Sequence, residues 1–163
     1  MTLQTTEPGA SITLKTKPLA SISYVFNKVS FFFQKDFSSY NLVVKDSVGQ
    51  CLAYVGPYTI ENANISTIQL PVNISQLEFQ TLKSTPSQSQ FTLYGINLEN
   101  DQPGVLYHAV GGNGAKVRHY LEAAYFTEQS QALTPDLIII SLGTNEAVDY
   151  PYVDPKFATQ LDT

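Results

Sequence analysis

The sequence predicts a β-sandwich of jelly-roll type over residues 1–98, followed by a partial α/β unit over residues 101–163. Two observations favour this fold class. From about residue 10 to residue 98, short runs of alternating apolar and polar residues are separated by turn-forming residues, as in antiparallel sheets. After residue 100 the pattern becomes an apolar run, a glycine turn, an amphipathic stretch and a second apolar run, which is the order of a β–α–β unit.

The composition is that of a folded, acidic protein. Of the 163 residues, 43% are hydrophobic and 14% are charged, so a core is expected and disorder is not. The net charge is −5 and no cluster of Lys and Arg occurs, so binding to nucleic acid would release few counterions. We therefore expect no nucleic-acid partner. Neither a membrane span nor an N-terminal leader is predicted, and the location of the chain stays open.

The strands of the predicted sandwich follow from period-two alternation, which buries one face of each strand. In the run from Val29 to Phe33, for example, Val29, Phe31 and Phe33 share one face. Proline, glycine and serine separate the runs. The predicted strands lie at 11–14, 29–33, 40–44, 67–70, 77–80 and 91–94. Cys51 lies in an apolar stretch and is predicted to be a small buried side chain.

The second half is predicted to contain strands at 105–110 and 136–141 with a helix at 115–126 between them. The helix has apolar residues at i, i+3, i+4 and i+7, and the second strand is apolar on both faces, as buried parallel strands are. Another helix is predicted at 154–161. A single strand–helix–strand unit cannot cover both faces of its own sheet, so we expect this half to be incomplete.

Two turns follow the predicted strands and carry the candidate chemistry. Gly111-Gly112-Asn113-Gly114 follows the first strand, and Gly143-Thr144-Asn145-Glu146 follows the second. If the strands are neighbours, the Gly114 N–H and the Asn145 amide can converge on one developing oxyanion, while Gly143 shapes the turn. Preorganised donors of this kind contribute about 3–4 kcal/mol each to stabilising a transition state.

These residues resemble the SGNH/GDSL superfamily of ester hydrolases over roughly residues 104–150. Gly114 is similar to the glycine of the second sequence block, whose N–H lines the oxyanion hole. Gly143 and Asn145 are similar to the third block, Gly-x-Asn-Asp, with Glu146 in place of the usual Asp. The resemblance implies a three-layer, flavodoxin-like α/β domain and a carboxylic ester hydrolase.

One group of that superfamily inserts a β-sandwich between the nucleophile block and the second block, and it includes enzymes similar to peptidoglycan O-acetylesterases. The β-rich region ahead of Gly114 resembles that insertion. The resemblance implies an O-acylated carbohydrate or peptidoglycan as substrate, and a bacterial parent protein that is periplasmic or secreted. Neither a cofactor nor a metal is implied.

The chain departs from the superfamily in lacking its nucleophile and its base. There is no Gly-Asp-Ser, and no late Asp-x-x-His. The nearest similar segment, Lys45-Asp46-Ser47-Val48-Gly49, lacks the leading glycine and is predicted to be a turn. We therefore expect a fragment that supplies oxyanion-hole residues and is inactive alone, with the remainder of the hydrolase domain as its partner.

Alternative interpretations of the same residues remain. The sandwich could be a carbohydrate-binding module with tyrosines stacking on sugars, or a scaffold without a ligand. Gly143 and Asn145 could form a plain turn at the end of a strand. Gly112-x-Gly114 superficially resembles a dinucleotide-binding fingerprint, but the third glycine is missing.

Overall fold

The computed structural model describes residues 2–18, 22–57, 64–148 and 154–162. The chain divides into two compact units, Met1–Pro103 and Gly104–Thr163. Within the described residues, the strands all lie in the first unit and the helices all lie in the second. None of those helices is long and apolar enough to cross a membrane.

The first unit consists of two four-stranded antiparallel sheets. The first sheet contains β1 (Leu3–Thr5), β3 (Phe26–Phe33), β6 (Ile65–Ile74) and β8 (Phe91–Glu99), in the order β1-β8-β3-β6. The second sheet contains β2 (Ser11–Lys15), β4 (Asn41–Lys45), β5 (Cys51–Val55) and β7 (Gln76–Leu82), in the order β2-β7-β4-β5. Two four-stranded antiparallel sheets of this kind are compatible with the predicted β-sandwich.

The core of this unit lies between the two sheets. Val29, Phe31 and Phe33 of β3 are completely buried, as their alternation predicts. The ring of Phe31 packs edge-on against Phe79 of the facing sheet, with 5.3 Å between ring centroids. Such pairs add to the stability that comes from the buried apolar area. Other side chains of the core are Phe26, Tyr40, Leu42, Val44, Val55, Leu70, Leu77, Phe91 and Leu93.

The edge strand β5 differs from the prediction for its residues. It was predicted as an apolar stretch with a buried Cys51, but the cysteine is exposed and that prediction is wrong. The physical reason is position: β5 is at the edge of its sheet, and its pairing with β4 is irregular between Val44 and Lys45. An edge strand with a register shift leaves one flank open to solvent.

The second unit is helical in its regular parts. Its helices are α1 (Val117–Leu121), α2 (Phe126–Ala132), α3 (Thr144–Ala147) and α4 (Asp154–Leu161). The helix predicted at 115–126 is shorter than expected, because α1 ends at Leu121 and α2 begins only at Phe126. The helix predicted at 154–161 is confirmed as α4.

The predicted strands of the α/β unit do not form. Segments 105–110 and 136–141 belong to no strand, and Ile138, Ile139 and Ile140 are 67%, 77% and 72% exposed. A strand needs a neighbour that pairs with its N–H and C=O groups, and an apolar face needs a layer that covers it. Among the described residues, the two segments have no pairing strand and no layer that covers their apolar side chains. The prediction of a parallel sheet here is therefore not confirmed.

Candidate functional site

The first candidate turn ends at Gly114 and leads into α1. The Ala115 N–H donates to the Gly112 carbonyl oxygen at 3.0 Å, which closes the turn. Gly114 has a φ of +75°, a conformation that glycine adopts without steric strain. On the other side of the turn, the hydroxyl of Tyr120 donates to the carbonyl oxygen of Val110 at 3.0 Å. This bond ties α1 to the chain that enters the turn.

The second candidate turn begins at Gly143 and continues as α3. Gly143 has a φ of +115°, and its carbonyl accepts from the Ala147 N–H at 2.9 Å. A Cβ atom at this position would lie 3.4 Å from Cζ of Phe157, which belongs to α4. The backbone conformation therefore favours glycine here, and the Phe157 ring lies close to the position.

Asn145 of α3 reaches the backbone of the first turn. Its Nδ2 donates to the carbonyl oxygen of Ala115 at 2.7 Å, across 30 residues of sequence. A carboxamide has two N–H donors, and this bond uses one of them. Asn145 thus lies beside the residue that follows Gly114, so two of the three predicted site residues belong to one local cluster. Gly143 starts the helix that carries Asn145.

Glu146, the next residue of α3, also contacts this segment. Its Oε1 accepts from the Val117 N–H at 2.6 Å, at the start of α1. The side chain is buried, with 7% exposure, and Oε2 is a buried oxygen without a hydrogen-bond partner in the described part of the chain. In the sequence, Glu146 stands out only as a departure from the Gly-x-Asn-Asp motif. The first N–H groups of a helix lack intrahelical partners, and an acidic side chain can accept from them. The acidic character of Glu146 was the one indication of this role in the sequence.

The segment resembling Gly-Asp-Ser is a hairpin turn, as predicted. Asp46 Oδ1 accepts from the backbone N–H groups of Val48 and Gln50 at 2.9 and 2.8 Å, and the turn connects β4 to β5. The carboxylate therefore holds the turn, and Ser47 is exposed. Asp46 and Ser47 belong to the first unit, whereas Gly114, Gly143 and Asn145 belong to the second.

The observed feature of the cluster is one side-chain amide, that of Asn145, held beside the Gly114 turn. No protein-family model matches the sequence, and comparison with curated proteins finds no match either. The arrangement of Gly114, Asn145 and Glu146 is therefore the observation from which a function is inferred.

Proposed function

We propose that the chain is part of a serine ester hydrolase of the SGNH/GDSL type, in which Gly114 and Asn145 hold the oxyanion. The observation that carries this proposal is the 2.7 Å bond from Asn145 Nδ2 to the Ala115 carbonyl, which holds a side-chain donor beside the Gly114 turn. Donors from two separate turns that are fixed before the substrate binds are what a developing oxyanion requires.

In the proposed reaction, a serine attacks the carbonyl carbon of an ester, and the carbonyl oxygen becomes negatively charged. The Gly114 N–H and the second N–H of Asn145 donate to that oxygen. The base of Asp-x-x-His takes the serine proton and passes it to the departing alcohol as the tetrahedral intermediate collapses to an acyl-serine, which water then hydrolyses to the acid and the free serine. Gly-Asp-Ser and Asp-x-x-His would come from a further part of the protein. The 163 residues alone are expected to hydrolyse no ester detectably.

Support for a further part comes from the exposed apolar side chains of the second unit. Segments 105–110 and 136–141 have the composition of buried parallel strands, yet Val105, Tyr107 and Ile139 are 97%, 82% and 77% exposed. Exposed apolar patches of this kind mark surfaces that another element covers. We propose that the remainder of the hydrolase domain covers them and completes a three-layer, flavodoxin-like α/β domain.

The proposed substrate class is an O-acylated carbohydrate or a peptidoglycan-like polymer, with an acetyl ester as the bond that is cleaved. This rests on the combination of a β-sandwich with the two turns, in the order that resembles the peptidoglycan O-acetylesterase group. The parent protein is proposed to be bacterial and periplasmic or secreted. The proposal involves no cofactor or metal.

A carbohydrate-binding module without catalysis is the second candidate. The favouring observation is Tyr54, which is 69% exposed on the edge strand β5 and could stack on a sugar ring. Calorimetric titration with acetylated and unacetylated oligosaccharides separates the two candidates. Binding that survives deletion of residues 104–163 and disappears in Tyr54→Ala favours the module.

Sequencing the transcript on both sides of the coding region for these residues tests the hydrolase proposal. We expect Gly-Asp-Ser ahead of the sandwich and Asp-x-x-His after residue 163. The longer protein should then hydrolyse p-nitrophenyl acetate, and Asn145→Ala should lower kcat by about 10²–10³-fold. Gln131→Ala, which removes an exposed side-chain amide of the same unit outside both turns, is the matched control and should keep most of the activity. Absence of both motifs, or full activity of Asn145→Ala, would contradict the proposal.

A further inference from the structure

We propose that Glu146 is a positioning residue, whose carboxylate fixes the Asn145 amide at the Gly114 turn. The inference deepens the proposed function and rests on it. The supporting geometry is a pair of consecutive side chains, Asn145 and Glu146, that bind the same short backbone segment. Asn145 donates to the Ala115 carbonyl at 2.7 Å, and Glu146 accepts from the Val117 N–H at 2.6 Å.

The helix that carries both residues cannot hold its own orientation. α3 spans only Thr144–Ala147, and so short a helix is unstable without tertiary contacts. The bond from Asn145 holds α3 to this segment at one point only, the Ala115 oxygen. The second bond, from the Val117 N–H to Glu146, lies two residues further along the same segment. Two points of attachment fix the direction of α3 as well as its distance from that segment.

Burial alone does not explain a carboxylate at this position. Glu146 is 7% exposed, and its Oε2 has no hydrogen-bond partner among the described residues. A leucine or methionine would fill similar space without the free energy needed to bury a polar group. The feature that an apolar side chain cannot supply is the acceptor for the Val117 N–H. We therefore attribute the role of Glu146 to the acceptor and its reach.

We expect three substitutions of Glu146 to differ in a fixed order. Glu146→Gln keeps an acceptor oxygen at the same distance from the backbone, and it should keep Asn145 in place. Glu146→Asp shortens the side chain by one carbon–carbon bond, about 1.5 Å. Its carboxylate can no longer reach the Val117 N–H unless α3 moves. Glu146→Ala removes the acceptor.

The test follows the side-chain amide of Asn145 by ¹⁵N NMR in the full 163-residue chain. Because the Nδ2–H bonded to Ala115 is protected, we expect slow exchange with solvent and a distinct shift for that hydrogen. Glu146→Ala and Glu146→Asp should speed its exchange by about tenfold, as expected when a typical hydrogen bond is lost. Glu146→Gln should stay within about twofold of the parent chain. Glu122→Ala, at an exposed acid of the same unit, is the control and should change nothing.

Unchanged exchange of the Asn145 amide hydrogen in Glu146→Asp and Glu146→Ala would overturn the inference. An equal rise of its exchange rate in Glu146→Gln and Glu146→Asp would overturn it too. If Glu146→Ala unfolds the second unit, the comparison of Glu146→Gln with Glu146→Asp decides. These failures leave the proposed function standing, because they concern how Asn145 is held. Full esterase activity of Asn145→Ala in the longer protein would instead contradict the oxyanion role and leave the positioning intact.

Discussion

At the scale of single residues, Gly114 and Gly143 show how the two candidate turns are encoded. Both have positive φ angles, +75° and +115°, which side chains rarely tolerate. They differ in their surroundings, because a Cβ on Gly114 would meet nothing within 4 Å, whereas one on Gly143 would lie 3.4 Å from Phe157. The positive φ is the reason for glycine at both positions, and at Gly143 an added Cβ would in addition contact the Phe157 ring.

We predict that Gly143→Ala destabilises the second unit by about 1–3 kcal/mol, since an alanine would have to hold the positive φ of this position. Urea denaturation followed by the ¹⁵N signals of α3 and α4 measures this. Gly111→Ala is the matched control, because a Cβ there meets no atom within 4 Å. Its effect should be below about 0.5 kcal/mol. Equal effects of the two substitutions would contradict the role given to Gly143.

Asp36 of the first unit provides a pH-dependent contribution to stability. Partial burial raises the pKa of its carboxyl, but hydrogen bonds from Ser38, Gln34 and Ser39 together lower it more, so the pKa lies below its ordinary value. The bonds from the Ser38 hydroxyl and N–H to Asp36 Oδ1 are 2.6 and 2.8 Å long. A pKa lowered by folding means that the carboxylate stabilises the fold above the pKa of the unfolded chain.

We therefore predict that Asp36→Asn lowers the free energy of unfolding at pH 7. The difference from the parent chain should shrink as the pH falls below about 4, the ordinary range for this carboxyl, and through the lower pKa of the folded state. Denaturant unfolding at pH 7, 5, 4 and 3 measures the difference. Ser38→Ala removes one of the donors and should give a smaller effect of the same sign. A difference that does not vary with pH would contradict the assignment.

At the scale of secondary structure, prediction was reliable where alternation was regular and the neighbour was in the chain. The predicted runs coincide with β2, β3, β4, β6, β7 and β8, because each of these strands packs apolar side chains against the core. β5 was missed, since its pairing with β4 is irregular and Tyr54 points to solvent at 69% exposure. Local pattern does not reveal which strand is at an edge.

The apolar run at 136–141 is a segment for which the local pattern predicts a strand that the structure does not contain. Its composition predicts a buried parallel strand, yet its isoleucines are exposed. The composition of a segment indicates whether burial would stabilise it. Whether it is buried depends on helices and strands elsewhere that pack against it. The helix at 154–161 was predicted correctly, as a helix satisfies its backbone hydrogen bonds within itself.

A matched pair of substitutions tests the difference between these environments. Ile65 of β6 is 6% exposed and Ile139 is 77% exposed. We predict that Ile65→Ala lowers the free energy of unfolding by about 2–5 kcal/mol, whereas Ile139→Ala changes it by less than about 0.5 kcal/mol. Chemical denaturation of the 163-residue chain measures both. In the longer protein that we propose, where 136–141 would be a covered strand, Ile139→Ala should become comparably destabilising. A large effect of Ile139→Ala in the 163-residue chain would contradict its exposure.

At the scale of the whole molecule, the candidate site was only partly predictable. The sequence indicated that Gly114 and Asn145 lie near each other by assuming two adjacent strands. In the structure those strands are absent, and Asn145 reaches Ala115 through α3 and the turn before α1. The role of Glu146 was not predicted, because it depends on which backbone N–H lies 29 residues away in sequence and 2.6 Å away in space.

The two units also differ in how completely they bury their apolar residues. Exposed large side chains of the first unit, such as Ile22, Phe37 and Val48, are separated along the chain, as on ordinary surfaces. In the second unit they form runs at 105–107 and 137–140. Runs of this kind favour association with other apolar surfaces and binding of hydrophobic dyes.

We predict that the 163-residue chain binds 8-anilinonaphthalene-1-sulfonate and associates at high concentration, and that residues 1–103 alone do neither. The reason is that the sandwich has its own closed core, whereas the exposed runs belong to residues 104–163. Dye fluorescence and sedimentation velocity of the two chains measure this, and far-UV circular dichroism checks that the shorter chain keeps its sheets. Replacing Ile138, Ile139 and Ile140 by threonine should reduce dye binding without changing the thermal midpoint of the sandwich. Equal dye binding by both chains would show that the apolar surface lies in the first unit. The exposed runs of residues 104–163 would then no longer support a further part of the protein that covers them.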